Sequence, residues 1–359
     1  MTQEISSAEI YAPAFSVSWA DTDKAIPKNE ITGLEVDEDL ESPGMFRLSF
    51  NETFDLKTQQ FRWLDDSSIA PGTMLIASFG YAFPHKESRI RGRIRALSPG
   101  FLAGGPPTLT VEGYDLSHDL KKTHSEANLN EVTYSDVARE IARKNKLDPS
   151  GVEDSGMGPS RRIERRVNEK DYDFLKRLAD NLGFELFIRN RTLYFRKPDD
   201  ERRGSMDFQY YKNIISFTPR MSAANVVNEV RVTAWNEKDK ERISETAELN
   251  EIKTSIGIPG FADIVEESQG TRLSVKIEGR VVRSREEAKA IALSELKKRN
   301  VGFITGTLEC VGNPELRPGI TVNIVKVGER FSGVYYITKS RHVLGENGYR
   351  TTLEVRRCL

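Results

Sequence analysis

Apolar and polar positions alternate in short runs along most of the chain, the period-two pattern of strands with one buried face. Residues 15–19 and 45–50 follow this alternation, 74–79 is a more continuous apolar run after the Pro71-Gly72 turn, and 109–114 alternates again. The first 125 residues therefore read as mostly β. Beyond residue 125 the period lengthens. Thr133-Tyr134-Ser135-Asp136 fits a capping box, in which hydroxyl and carboxylate satisfy free backbone donors reciprocally. Val137, Ala138, Ile141 and Ala142 follow on one face, so the pattern predicts a short helix ending near Leu147. A flexible Gly/Ser/Pro stretch is expected over 149–160. A second helix is predicted with Asn168 as N-cap and Asp171 in the first turn, where negative charge complements the dipole. Phe174, Leu175, Leu178 and Leu182 form its apolar face, and Gly183 supplies a left-handed stop. A hairpin over 185–189 and 192–196 turns at Asn190-Arg191 and runs into a charged linker, 197–201. Strands return at 226–235, 319–327 and 334–342. One helix interrupts them, capped by Ser284 and carrying Ala288, Ile291, Ala292 and Leu296 on its inner face.

The β regions contain a repeated pattern. Residues 71–97 run from Pro-Gly through an apolar strand to Ser78-Phe79-Gly80 and then 91–97. Residues 318–343 run from Pro-Gly through 320–325 and Gly328 to 332–337. One more strand follows each copy, at 109–114 and at 350–356. Proline presets φ and glycine supplies a positive φ, so each copy reads as a turn feeding an antiparallel meander. The pair points to a duplicated β-barrel or sandwich.

Composition narrows the function classes. A chain of 359 residues holds two or three domains. With 53 basic and 54 acidic residues the formal charge is -1, which disfavours a strongly basic nucleic-acid binder. No uncharged apolar stretch approaches 18 residues, and residues 1–10 are too polar for a secretory signal. Cys310 and Cys358 lack both a disulfide framework and metal spacing, and read as reduced structural residues. His85, His118, His124 and His342 form no HExxH pair, and no phosphate loop, dinucleotide fingerprint or GxSxG elbow occurs. The glycine-rich run 100–105 reads as a surface loop, the basic run 161–166 as a solvated edge, and His342 as a partly buried, hydrogen-bonded strand residue. No catalytic, cofactor-binding or metal-binding residue is expected, and no enzymatic activity.

Three blocks resemble the late control protein D family of contractile phages, the central tail hub, which is related to the N-terminal hub part of VgrG-type spike proteins. The first is 168–184, similar to that family's "n-E-s-D-x-d-F-L-x-R-L-a-e-x-x-G" helix, with Asp171, Phe174, Leu175, Leu178 and Gly183 at its marked positions. The second is the hairpin ending in 193–198. The third runs from Gly312, Pro314, Pro318 and Gly319 through Gly333 and Tyr335 to His342 and 348–351. The resemblance implies a mainly β fold with an α+β insert and two similar antiparallel β-barrel, tube-type domains. These are expected at 1–125, completed by strands from 205–240, and at 205–359 with a helix at 284–300, the insert being 126–204. It implies a structural hub of a contractile tail or tail-like injection particle: a homotrimeric ring joining a hexameric inner tube protein to a separate trimeric spike protein. Other baseplate proteins are expected partners, with no small-molecule substrate, no cofactor and no membrane insertion by this chain. The expected place is the bacterial cytoplasm for synthesis and the tail baseplate after assembly. The alternatives are a tail-associated peptidoglycan-binding protein, since 133–149 also resembles the first helix of a LysM-type module, and a tail-associated cell-wall hydrolase.

Overall fold

The computed structural model describes residues 12–83, 86–156, 160–200, 204, 206–224, 226–236, 240–251, 273–278, 282 and 284–358. The fold is mainly β with an α+β insert. Its first part holds β1 (Ala12–Trp19), β2 (Ile31–Asp39), β3 (Met45–Asn51), β4 (Met74–Phe83), β5 (Lys86–Gly100) and β6 (Thr108–Asp115). Their order in the sheet is β1-β4-β5-β6-β3-β2. Burial alternates along β3, with Phe46, Leu48 and Phe50 inward, as the period-two pattern requires.

The insert follows. Helix α1 (Tyr134–Lys144) starts on the predicted capping box: Thr133 accepts from the Asp136 amide while the Asp136 carboxylate accepts from the Thr133 amide. It ends before Leu147. Strand β7 (Asp148–Val152) lies parallel to residues 192–195, so part of the expected flexible stretch is ordered sheet. Helix α2 (Asp171–Leu182) ends at Gly183, whose φ of +69° is the left-handed stop the sequence predicts. Its start differs from the expectation. Lys170 is the N-cap residue and makes no side-chain cap, whereas Asn168 has a φ of +60° in the preceding turn. Strands β8 (Glu185–Arg189) and β9 (Thr192–Arg196) pair across the two-residue Asn190-Arg191 turn.

The last part holds β10 (Asp207–Gln209), β11 (Ser216–Met221), β12 (Glu229–Asn236), β13 (Glu241–Glu248), β14 (Ser274–Ile277), α3 (Arg285–Asn300), β15 (Ile304–Val311), β16 (Thr321–Val325), β17 (Gly333–Gly345) and β18 (Gly348–Arg357). Ser284 caps α3 by accepting from the Glu287 amide. Six of these strands take the order β10-β16-β17-β18-β15-β11. Counted in chain order within each part, that is the same 1-4-5-6-3-2 arrangement as the first six. One pairing differs: β1 runs antiparallel to β4, and β10 runs parallel to β16. The strands between 205 and 240, expected to complete the first set, pair instead with the second: β10 with β16, β11 with β15, and β12 in a small sheet with β13 and β14.

The two sets form one twelve-stranded sheet. Strand β17 makes the join. Its residues 333–336 pair with β16, and after an irregularity between Ile337 and Lys339 its residues 339–344 pair antiparallel with β2. Buried side chains gather into three principal cores: one from residues 17–111, one within 120–195, and one within 208–355. Leu344 and Tyr349, from the tip of the β17–β18 hairpin, belong to the first core, so the second set reaches into the first.

Candidate functional site

The segment 312–319 lies where the three cores meet, and it must pack tightly without regular structure. Gly312 is buried against the Tyr349 ring, where a Cβ would overlap the ring carbons. Its carbonyl accepts a hydrogen bond from the Tyr81 hydroxyl on β4 at 2.7 Å. Pro314 and Pro318 are buried, and Gly319 takes a φ of +88°, open to glycine at no steric cost. Arg317 forms an ion pair with Glu38 of β2, with Nε donating to Oε2 at 2.8 Å. Burial pushes the Glu38 carboxyl up, but the Arg317 charge and hydrogen bonds outweigh it, and the group stays ionised. From the insert, Arg189 donates to the Pro318 carbonyl at 3.0 Å and Arg196 to the Gly319 carbonyl at 2.8 Å. Both guanidinium groups lie beside the stacked rings of Phe187 and Tyr194.

His342 sits beneath this segment, fully buried rather than partly so. Its Nε2–H donates to the Leu316 carbonyl at 3.0 Å, which leaves Nδ1 to accept from the hydroxyls of Tyr349 (2.9 Å) and Thr351 (3.1 Å). Burial pushes its pKa down to about 4, with Arg317 pressing the same way and Glu38 opposing. The imidazole is therefore a neutral strut between β17, β18 and the 312–319 segment.

The remaining motif residues are placed apart from this junction. Asp171 is fully buried at the start of α2. It accepts from the Ser125 amide (2.8 Å) and hydroxyl (2.7 Å), from Arg165 (2.7 Å) and from Asn145 (3.1 Å). Burial alone would raise its pKa, but the hydrogen bonds from Ser125 and Arg165 bring it down to about 2. Arg165 thus belongs to a buried pair, so the basic run 161–166 is only partly a solvated edge. Phe174, Leu175 and Leu178 fill the insert core. Gly333 and Tyr335 stand at the other end of β17, where Arg357 packs over both. Further joints tie the insert to its neighbours: Tyr336 donates to Glu185 at 2.7 Å, Lys176 pairs with Glu41 at 2.8 Å, and Ser294 donates to the Asp180 carbonyl at 3.0 Å. Glu38, Tyr81, Arg189 and Arg196 carry the junction without any sequence signal, because their partners lie up to 279 residues away.

A family model described as the Alg8 N-terminal domain matches residues 20–346. The chain belongs to that family. The matching model is this one rather than that of the late control protein D family, to which the motif blocks are similar. No curated protein matches the chain. Among solved structures, a tail protein from Neisseria meningitidis is 15% identical over 97% of each chain, with a TM-score of 0.69. A 43 kDa tail protein of prophage MuSo2 from Shewanella oneidensis is 15% identical over 96% of this chain and 98% of that one, with a TM-score of 0.73. An E. coli component of the type VI secretion system, described as similar to the T4 tail proteins gp27 and gp5, is 11% identical over 91% of this chain and 73% of its own, with a TM-score of 0.54. The Alg8 N-terminal domain family member thus has the tail-protein fold.

Proposed function

We propose that the chain is the structural hub of a contractile phage tail or tail-like injection particle, a non-catalytic homotrimer that joins a hexameric inner tube to a trimeric spike. The observation that carries this reading is the repeated strand order: one chain presents two six-strand sets of the same arrangement, fused through β17. Three chains in a ring then present six similar sets toward a hexamer and three identical faces toward a trimer, a symmetry match that one set per chain does not offer. The three cores support a division at 1–125, 126–204 and 205–359, with the insert as a buttress against both neighbours. The fold shared with tail proteins supports the same reading. So does the use of three displaced titratable groups: Glu38, Asp171 and His342 are each engaged in internal joints. Assembly with tube, spike and other baseplate proteins places it in a particle made in the bacterial cytoplasm. Light scattering on the purified chain tests the proposal. Three times 40.6 kDa is expected, and 40.6 kDa at micromolar concentration contradicts it.

A further inference from the structure

Each strand set carries an exposed apolar feature that its own core does not need. On the first set, Phe54–Asp55 pairs with Gln60–Phe61 in a small hairpin outside the twelve-stranded sheet. The rings of Phe54 and Phe61 lie 4.7 Å apart and those of Phe61 and Phe101 5.4 Å apart. Leu56 is 83% exposed, Phe101 62% and Leu102 73%, so the cluster forms an apolar knob in water. Its base is fixed by the buried Glu52 carboxylate, which accepts the amides of Thr53, Trp63 and Leu64. Asp55, Asp65 and Asp66 stand around the knob against one lysine, Lys57, while Arg62 is engaged by Glu30 at 3.0 Å.

On the second set, the turn after β10 holds Tyr210 and Tyr211 with ring centroids 4.0 Å apart. Tyr211 is 89% exposed and has a φ of +63°, a conformation a bulky aromatic residue rarely takes and one found at functional surfaces. The turn is fixed by Asn213, whose side chain accepts from the Gln209 amide at 2.7 Å and donates to the Asp207 carbonyl at 2.8 Å. The exposed cations Lys212 and Lys326 flank it, while the Asp207 carboxylate is engaged by Asn323 at 3.0 Å.

We propose that the Tyr210–Tyr211 turn of one copy docks on the Phe54–Phe61–Phe101 knob of the next copy, as the head-to-tail contact of the ring. This rests on the ring proposed above. Preformed aromatic anchors on both sides limit the ordering cost of association, and tyrosine is favoured among the residues that dominate interface energies. The acidic rim of the knob faces the basic rim of the turn, which steers encounter and disfavours knob against knob. One knob and one turn per chain, on different sets, give a heterologous contact that propagates in one direction until it closes.

Two variants isolate the contact, and both alter exposed side chains: Leu56→Glu with Phe101→Glu removes the knob, and Tyr211→Glu removes the turn. With circular dichroism matching the wild type, each variant alone is expected at 40.6 kDa. Mixed in equal amounts they retain one productive contact, the intact turn of the first on the intact knob of the second. The mixture is therefore expected at twice that mass, with no ring. A wild-type ring that persists in either single variant overturns the contact, and a mixture with no two-chain species overturns its head-to-tail form. A wild-type chain that is itself monomeric overturns the ring reading and the contact with it.

Discussion

Gly312 and His342 show how single residues hold the junction. A methyl group at Gly312 has nowhere to go, since the Tyr349 ring occupies its direction and Tyr81 fixes the backbone from the other side. Gly312→Ala is expected to cost about 1–3 kcal/mol, the range for overpacking a filled site. A urea titration checks this: the midpoint falls while the slope stays that of the wild type. His342 makes stability depend on pH. Its folded pKa of about 4 lies below the ordinary 6.5, so between those values the unfolded chain binds a proton that the folded chain refuses. This contribution is complete above about pH 6.5 and is lost as pH falls toward 4, by at most about 1.4 kcal/mol per pH unit. Asp115, held up at about 7 mainly by burial, titrates in the opposite sense, so the comparison must be with a variant. His342→Gln keeps a donor for the Leu316 carbonyl and an acceptor for Tyr349, and is expected to be less sensitive to pH between 6.5 and 4. Identical slopes of stability against pH in the two proteins contradict this account.

At the scale of elements, local chemistry set most helix ends and long-range pairing set the rest. The Thr133 and Ser284 caps were legible because a cap and its partner lie three residues apart, and Gly183 because only a left-handed residue ends α2 there. Thr133→Ala and Ser284→Ala are each expected to lower stability by about 1 kcal/mol in thermal or urea unfolding. The start of α2 departs from the Asn168 cap that the pattern predicts because Asp171 serves a different purpose. Its carboxylate is held by Arg165, Ser125 and Asn145 across the insert, a set no local pattern announces. Strand β7 forms where the composition predicts a flexible stretch: Pro149, Ser150 and Gly151 are poor strand formers, and the β9 edge overrides that propensity. The joining of β2 to β17 was equally hidden: alternation gives each strand's faces but not its neighbour.

Across the whole molecule, the Pro-Gly meanders at 71–97 and 318–343 disclosed the repeat, because a turn of fixed chemistry followed by alternating strands survives as a pattern. They did not disclose that the hairpin continuing from the second meander reaches into the first core through Leu344 and Tyr349, so that the two sets are held as one body. A rigid pair of like sets is what a ring with true three-fold and apparent six-fold symmetry requires. Electron microscopy of the purified chain viewed down its symmetry axis tests this most directly. The expected image is a closed ring of six similar lobes around an open centre, with three-fold symmetry on close inspection and three peripheral densities from the inserts. Isolated two-lobed particles, or a ring whose lobes are not paired within chains, would contradict it.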